Sequence, residues 1–192
     1  MARKHGPWTI KATRRKYDSE LIQLHEDEVV KPDGSEGTYA TVRMKDGVAV
    51  LAVDEEGTAY FAKEFRYALG RENVEAVAGG VKEGEPPETA ARRELREELG
   101  IEAEEFVELG SVEYATSLLR SASTLFLARR LSFTEKDEDP SEIISTVKMP
   151  LDEAVRRALS GDLIHATTCL LILRAQNFLQ QERSATPAAA HE

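Results

Sequence analysis

Three glutamates, Glu94, Glu97 and Glu98, stand within five residues of an arginine-rich stretch. At about 100° per residue of helix, Ala91, Leu95 and Leu99 form an apolar stripe at i, i+4 spacing. Glu94 and Glu98 are also four apart and stack one turn above the other along the border of that stripe, with Glu97 just outside them. Carboxylates half sunk at the edge of a core are costly unless something neutralises them. A hard divalent cation does so, because it takes oxygen ligands and keeps waters that a substrate phosphate can replace. The competing reading is a solvated helix face in which Arg92, Arg93 and Arg96 pair with the glutamates. Gly79 before the helix, Glu85 in the turn and Gly100 as its stop favour the metal site.

The spacing is specific. From Gly79 to Ile101 the chain reads G-x5-E-x7-R-E-U-x-E-E-x-G-U, U being apolar, through Gly79, Glu85, Arg93, Glu94, Leu95, Glu97, Glu98, Gly100 and Ile101. This stretch resembles the Nudix box at every specified position. The resemblance implies a loop-helix-loop in which Glu94, Glu97 and Glu98 hold Mg2+, or Mn2+, against a diphosphate, with the carbonyl of Ala78 as a further metal ligand. It also implies that Glu85 and Arg93 pair with each other and orient the helix rather than touch substrate.

Weaker similarity extends from about Trp8 to Gln181. The approach EFRYALGRENVEAVAGG resembles that of ADP-ribose pyrophosphatase-like Nudix enzymes, which implies that Arg66 and Glu75 line the substrate pocket, with Arg71 a lesser candidate. Downstream, EIISTVKMPLDEA resembles the same subgroup, and its first residue, Glu142, matches a general base or extra metal ligand on a loop. Glu138 and Asp139 are the reserves. The catalytic candidates are therefore Glu142 and Glu97. Trp8 reads either as a packing anchor or as a platform on which a base stacks, since that subgroup draws aromatics from its N-terminal unit. The sequence also departs from the subgroup. Thr116 stands where those enzymes carry a proline in a tight turn, and Ser121 and Ser145 stand where they carry acids. ADP-ribose, GDP-mannose and other nucleoside diphosphate sugars all remain open as substrates.

These residues need elements to hold them. Residues 1–7 are basic and are expected to be loose. WTIKATRRKY, LIQLHEDEVV and TYATVRM read as strands, the last two joined by the turn KPDGSEG. Together they make a small antiparallel unit with little core of its own, and the subgroup's habit implies a homodimer. VAVLAVD and TAYFAKEFRY read as a hairpin around Glu55–Gly57, and VEAVAGG as a strand entering the box. After the box, FVELGSVEYA and STLFLARRL are strands flanking a loop, TSLLRSA. An acidic loop from Phe133 to Glu142 leads to the strand IISTVKM, a helix PLDEAVRRALSGD with a glycine stop, and a last helix HATTCLLILRAQNFLQQE. The expected class is α+β, an α/β/α sandwich of Nudix type with a mixed central sheet. Its parts are an N-terminal β unit (1–45), a hydrolase domain (46–182) and a disordered tail (183–192).

Composition bounds the rest. A chain of 192 residues is long enough for one domain with a real core. A formal net charge of -10 argues against nucleic-acid binding, whereas a phosphate substrate stays open because bound cations reverse the local sign. No apolar run approaches the roughly 18 residues of a membrane span. MARKHGPW lacks the apolar core of a signal peptide, so a cytoplasmic protein without membrane contact is expected. The lone Cys169 has no partner for an internal disulfide. His5, His25, His165 and His191 have no neighbour at metal-ligand spacing, so no histidine role is expected. Ser117, Ser121 and Ser123 lack a His/Asp arrangement for nucleophilic chemistry. The expected reaction is metal-assisted hydrolysis of a nucleoside diphosphate linked to another moiety, giving two monophosphates. A nucleotide-sanitising triphosphatase and a ligand-sensing module without turnover are the alternatives.

Overall fold

A computed structural model describes residues 2–136 and 143–185. Glu142, Glu138 and Asp139 lie outside the described residues. The chain opens with β1 (Arg3–His5), β2 (Trp8–Asp18), β3 (Ile22–Val30) and β4 (Glu36–Met44). It continues through β5 (Gly47–Val53), β6 (Thr58–Arg66), β7 (Arg71–Glu75) and β8 (Val77–Gly80) to α1 (Pro87–Leu99). Then come β9 (Ile101–Glu113), β10 (Leu119–Arg120), β11 (Ala122–Phe133) and β12 (Ser145–Pro150). Two helices follow, α2 (Leu151–Ser160) and α3 (Ala166–Ala185). Two compact units result: the chain up to Asp46 with Glu113–Ala122, and Gly47–Val112 with the chain from Ser123 onward.

The first unit is a five-stranded sheet in the order β1-β2-β3-β4-β10. Residues 1–7 were expected to be loose, yet Arg3–His5 pairs antiparallel with Trp8–Ile10. The reason is local: Gly6 adopts a φ of 57° that a two-residue hairpin turn needs, and Pro7 stiffens it. The loop expected at TSLLRSA also contributes a short strand. Leu119 and Arg120 lie parallel to Val42 and Arg43, a pairing that local sequence does not signal. Ile10 and Val29 are this unit's buried hydrophobic side chains among the described residues.

The second unit carries a seven-stranded mixed sheet along β12-β6-β5-β11-β9, with β7 on β6 and β8 on β5. β5 explains the layering. Val48, Val50 and Ala52 point to one face, where they pack with Ala90, Ala91, Leu95 and Leu99 of α1. Ala49, Leu51 and Val53 point to the other, with Leu151 and Ala154 of α2 and Leu171, Ile172 and Ala175 of α3. A strand buried on both faces must be apolar throughout, as this one is. The α+β sandwich with a mixed sheet is thus as the sequence indicates. The stretch 74–80, read as one strand, is two: Val74 and Glu75 pair with β6, Val77 to Gly80 with β5, and Ala76 is the switch. β9 starts directly after Gly100 instead of near Phe106, and α3 runs through Ala185. Among the described residues no helix is long and apolar enough to cross a membrane.

Candidate active site

α1 is built to start and stop sharply. Pro86 holds an extended φ/ψ of -63° and 142°, and Pro87 follows where a missing N–H costs nothing. At the other end Gly100 takes a left-handed φ of 62°, and its N–H meets the carbonyls of Leu95 and Arg96. A side chain there would also meet the Thr134 carbonyl at 2.5 Å, so two constraints fix this glycine. Between these ends Ala91, Leu95 and Leu99 are buried, which sets the rotation of the helix and lays Glu94 along the core border.

One guanidinium joins Glu85, Glu94 and Glu97. Arg93 donates from Nε and Nη2 to the two oxygens of Glu85, each at 3.1 Å. Its Nη1 reaches Glu94 at 2.7 Å and Glu97 at 3.1 Å, and Nη2 also reaches the Gly80 carbonyl at 3.1 Å. The expected Glu85–Arg93 pair is present, and Arg93 also grips two of the three metal candidates. Glu85 is further fixed by the Lys82 N–H at 3.0 Å. The Arg93 hydrogen bonds, then that N–H, hold the Glu85 carboxyl down to about 2. Glu94 shifts the other way. Burial raises its pKa, the Arg93 contact only partly offsets this, and the charges of Glu97 and Glu85 raise it further.

Glu94 rests against the chain that enters the box. A Cβ built on Gly79 would lie 2.0 Å from the Glu94 carboxyl carbon, so only glycine admits the carboxylate there. Ala78, the residue before, pairs with Ala49 in the β8–β5 ladder. Among the described residues no three His, Cys, Asp or Glu side chains close on one point as a finished metal cage. The donor set nevertheless suits a hard cation: Glu94 and Glu97 share the Arg93 charge with Glu85, and Glu94 is pushed toward its neutral form.

A second cluster gathers Arg66 and Glu75. Glu75 is 6% exposed. Its Oε2 accepts from Arg66 Nη2 at 2.8 Å and its Oε1 from Asn73 Nδ2 at 2.8 Å. Burial alone would raise the Glu75 pKa; these hydrogen bonds outweigh it and lower it. Arg66 also donates to Glu64 at 2.5 Å. Arg66 is thus part of a half-buried network. Arg71 sits opposite Arg66 at the exposed end of the hairpin and does not join it. His165, for which no role was expected, lies 3.4 Å from Glu75 Oε2 through Nδ1. Nothing local to His165 signals this, because it depends on where the N-terminus of α3 meets the β7–β8 switch.

In the N-terminal unit, Trp8 and Tyr39 meet edge to face at 5.5 Å. They line a cleft of about 640 Å³ that Thr116, Ser117 and Arg120 also border. The substituted turn and the tryptophan, singled out separately in the sequence, therefore share one cavity. Ser121 is buried and donates to the Lys45 carbonyl at 2.9 Å, and Ser145 is exposed on β12, so neither supplies a carboxylate.

Comparison with known proteins places this geometry. The NUDIX domain profile matches residues 43–168. Over 171 residues the chain is 30% identical to an ADP-ribose pyrophosphatase of Bacillus subtilis (strain 168), covering 87% of this chain and 92% of that protein. Over 152 residues it is 32% identical to a methanol dehydrogenase activator of Bacillus methanolicus, covering 77% and 80% of the two chains. A solved structure, a crystal structure of ADP compounds hydrolase, shares the fold with a TM-score of 0.81 at 21% identity, over 94% of this chain and 98% of that one.

Proposed function

The chain belongs to the Nudix family, and from that premise we propose that it hydrolyses the diphosphate of a nucleoside diphosphate joined to a sugar, ADP-ribose first among them. The observation that carries the reading is the Glu94 carboxylate, half-buried against Gly79 and sharing the Arg93 guanidinium with Glu97 and Glu85. Nudix hydrolases work with divalent metal ions, and the all-oxygen donors here favour Mg2+, with Mn2+ as substitute. Glu94, Glu97, Glu98 and the Ala78 carbonyl would hold the metal. When bound, it neutralises the diphosphate oxygens and makes a water more acidic.

The chain's own groups do the rest. Arg66, steadied by Glu64 and Glu75, offers its guanidinium to the non-bridging oxygens. Glu142 takes the proton as water attacks phosphorus and the P–O anhydride bond breaks. Two monophosphates leave, AMP and ribose 5-phosphate when the substrate is ADP-ribose.

The test is a hydrolysis screen with Mg2+ or Mn2+ over ADP-ribose, GDP-mannose, other sugar nucleotides, dinucleotides and nucleoside triphosphates. Turnover of a sugar nucleotide is expected, with Glu97→Gln lowering kcat roughly 10²–10³-fold. Absence of turnover on all of them, with ligand binding retained, would sink the enzyme reading. We further propose that a nucleoside base stacks on Trp8 in the cleft of the N-terminal sheet. That residue is the chain's single tryptophan, so its fluorescence reports the contact directly. Saturable quenching on titration with ADP is expected, and an unchanged spectrum at saturation refutes stacking.

A further inference from the structure

The N-terminus of α3 is tied to the β7–β8 switch by two adjacent side chains. Thr168, fully buried, accepts the Ala76 N–H at 2.9 Å. His165 precedes the helix, and its carbonyl accepts the Cys169 N–H at 2.9 Å. Its Nδ1 lies 2.9 Å from the Thr168 hydroxyl and 3.4 Å from Glu75 Oε2. Thr168 accepts from Ala76 and keeps its own hydroxyl proton to donate to Nδ1; in that arrangement the proton of a neutral imidazole sits on Nε2. Protonation reverses the role of Nδ1. It becomes a donor, and the acceptor within reach that carries charge is Glu75 Oε2, the oxygen that Arg66 Nη2 already uses.

We propose that His165 is a positioning residue for Arg66: its protonation draws on Glu75 Oε2, loosens the Glu75–Arg66 bond and leaves the guanidinium freer for an anionic substrate. The inference rests on the reading of Arg66 as a phosphate contact. The groups that face the pair are Glu64 on β6, Glu75 and Asn73 on β7, Glu98 on α1 through its field at Arg66, and Cys169 with Thr168 on α3. Burial, then the Arg66 charge, lower the imidazole's pKa from its ordinary 6.5, while Glu75 alone pulls it up. The neutral form is the one present at pH 7, and the switch operates below 6.5. Substrate affinity rises as the pH falls through that range, because a positive charge is added and a second is released. By linkage, an anion bound at Arg66 raises the His165 pKa.

The full chain tests this in two ways. In ring NMR, His165 should titrate below 6.5, lower still in Glu75→Gln and higher in Arg66→Gln. A non-hydrolysable ADP-ribose analogue should raise its pKa. Identical titration in all three proteins overturns the coupling, whether or not any substrate is turned over. In steady-state kinetics, KM for the substrate found by the screen should fall about 5-fold between pH 7.5 and 5.5. His165→Asn, which keeps a neutral polar atom near the position of Nδ1 for Thr168, should flatten that KM profile with less effect on kcat. A KM profile in His165→Asn that matches the wild type overturns the proposal. Lack of any turnover counts against the hydrolase reading and leaves the NMR result to decide the coupling.

Discussion

Gly79→Ala should lower kcat/KM by about 10²-fold while the melting temperature moves by less than roughly 3 °C. The two effects separate because of what the new methyl meets. It would stand 2.0–2.4 Å from the carboxyl atoms of Glu94, the far end of a side chain with three rotatable bonds, and not against backbone. The carboxylate swings away at little cost to the fold, and swinging away removes it from the position where the metal group needs it. Gly80→Ala is the internal control. A Cβ there meets nothing within 4 Å, neither glycine has a positive φ, and the Gly80 carbonyl that Arg93 uses is unchanged. Activity in Gly80→Ala should stay within about 2-fold of wild type by the same reasoning. Equal losses in both variants, or a large fall in stability for Gly79→Ala, would refute the cradle.

Arg93→Met should have the opposite balance in metal-free buffer. It leaves Glu85, Glu94 and Glu97 without the guanidinium that joins them, and removing one side of a buried pair is costly. The side chains are 12–36% exposed, so solvent relieves part of that cost. A loss of about 2–3 kcal/mol, or roughly 5–10 °C in melting temperature, is expected. Added Mg2+ should restore more stability to Arg93→Met than to wild type, since the cation supplies the missing charge to Glu94 and Glu97. Arg93→Lys should recover only part of the loss. The native fork serves Glu85 from two nitrogens and Glu94, Glu97 and Gly80 as well, and an ammonium on a flexible stem cannot span them. Calorimetry with and without Mg2+ checks both; equal metal-induced gains in all three proteins would refute the charge argument.

The box was legible because its requirements are local. Gly79, Glu85, Arg93 and Gly100 act on residues a few turns away, so their spacing carries the geometry. The alternating apolar run of β5 announced a strand covered on both sides for the same reason. What escaped depends on contacts between distant stretches. Arg66 and Glu75 were read as neighbours in a cleft, but the hinge at Ala76 that separates their strand from β8 shows only once β5 and β6 claim different partners. His165 is ninety residues from Glu75 in sequence and reaches it only because Thr168 docks α3 on Ala76. Leu119 and Arg120 lack any strand pattern; β4 gives them one. HGPW, in contrast, held a turn signal in Gly6 and Pro7 that the basic charge of the flanking residues obscured.

The two-sided burial of β5 has a bearing on how this chain can vary. Its even-numbered side chains from Val48 to Ala52 lean on the glutamate helix, so a change of volume there is transmitted to the carboxylates as rotation. Its odd-numbered side chains from Ala49 to Val53 lean on α2 and α3, where a change of volume meets the helices that carry no glutamate of the box. One strand thus separates a surface on which drift is visible to selection through catalysis from one on which it is visible through folding. The seam between them is narrow: where Thr168 meets Ala76, a repacking of α3 carries through to Glu75, and the two kinds of constraint become one.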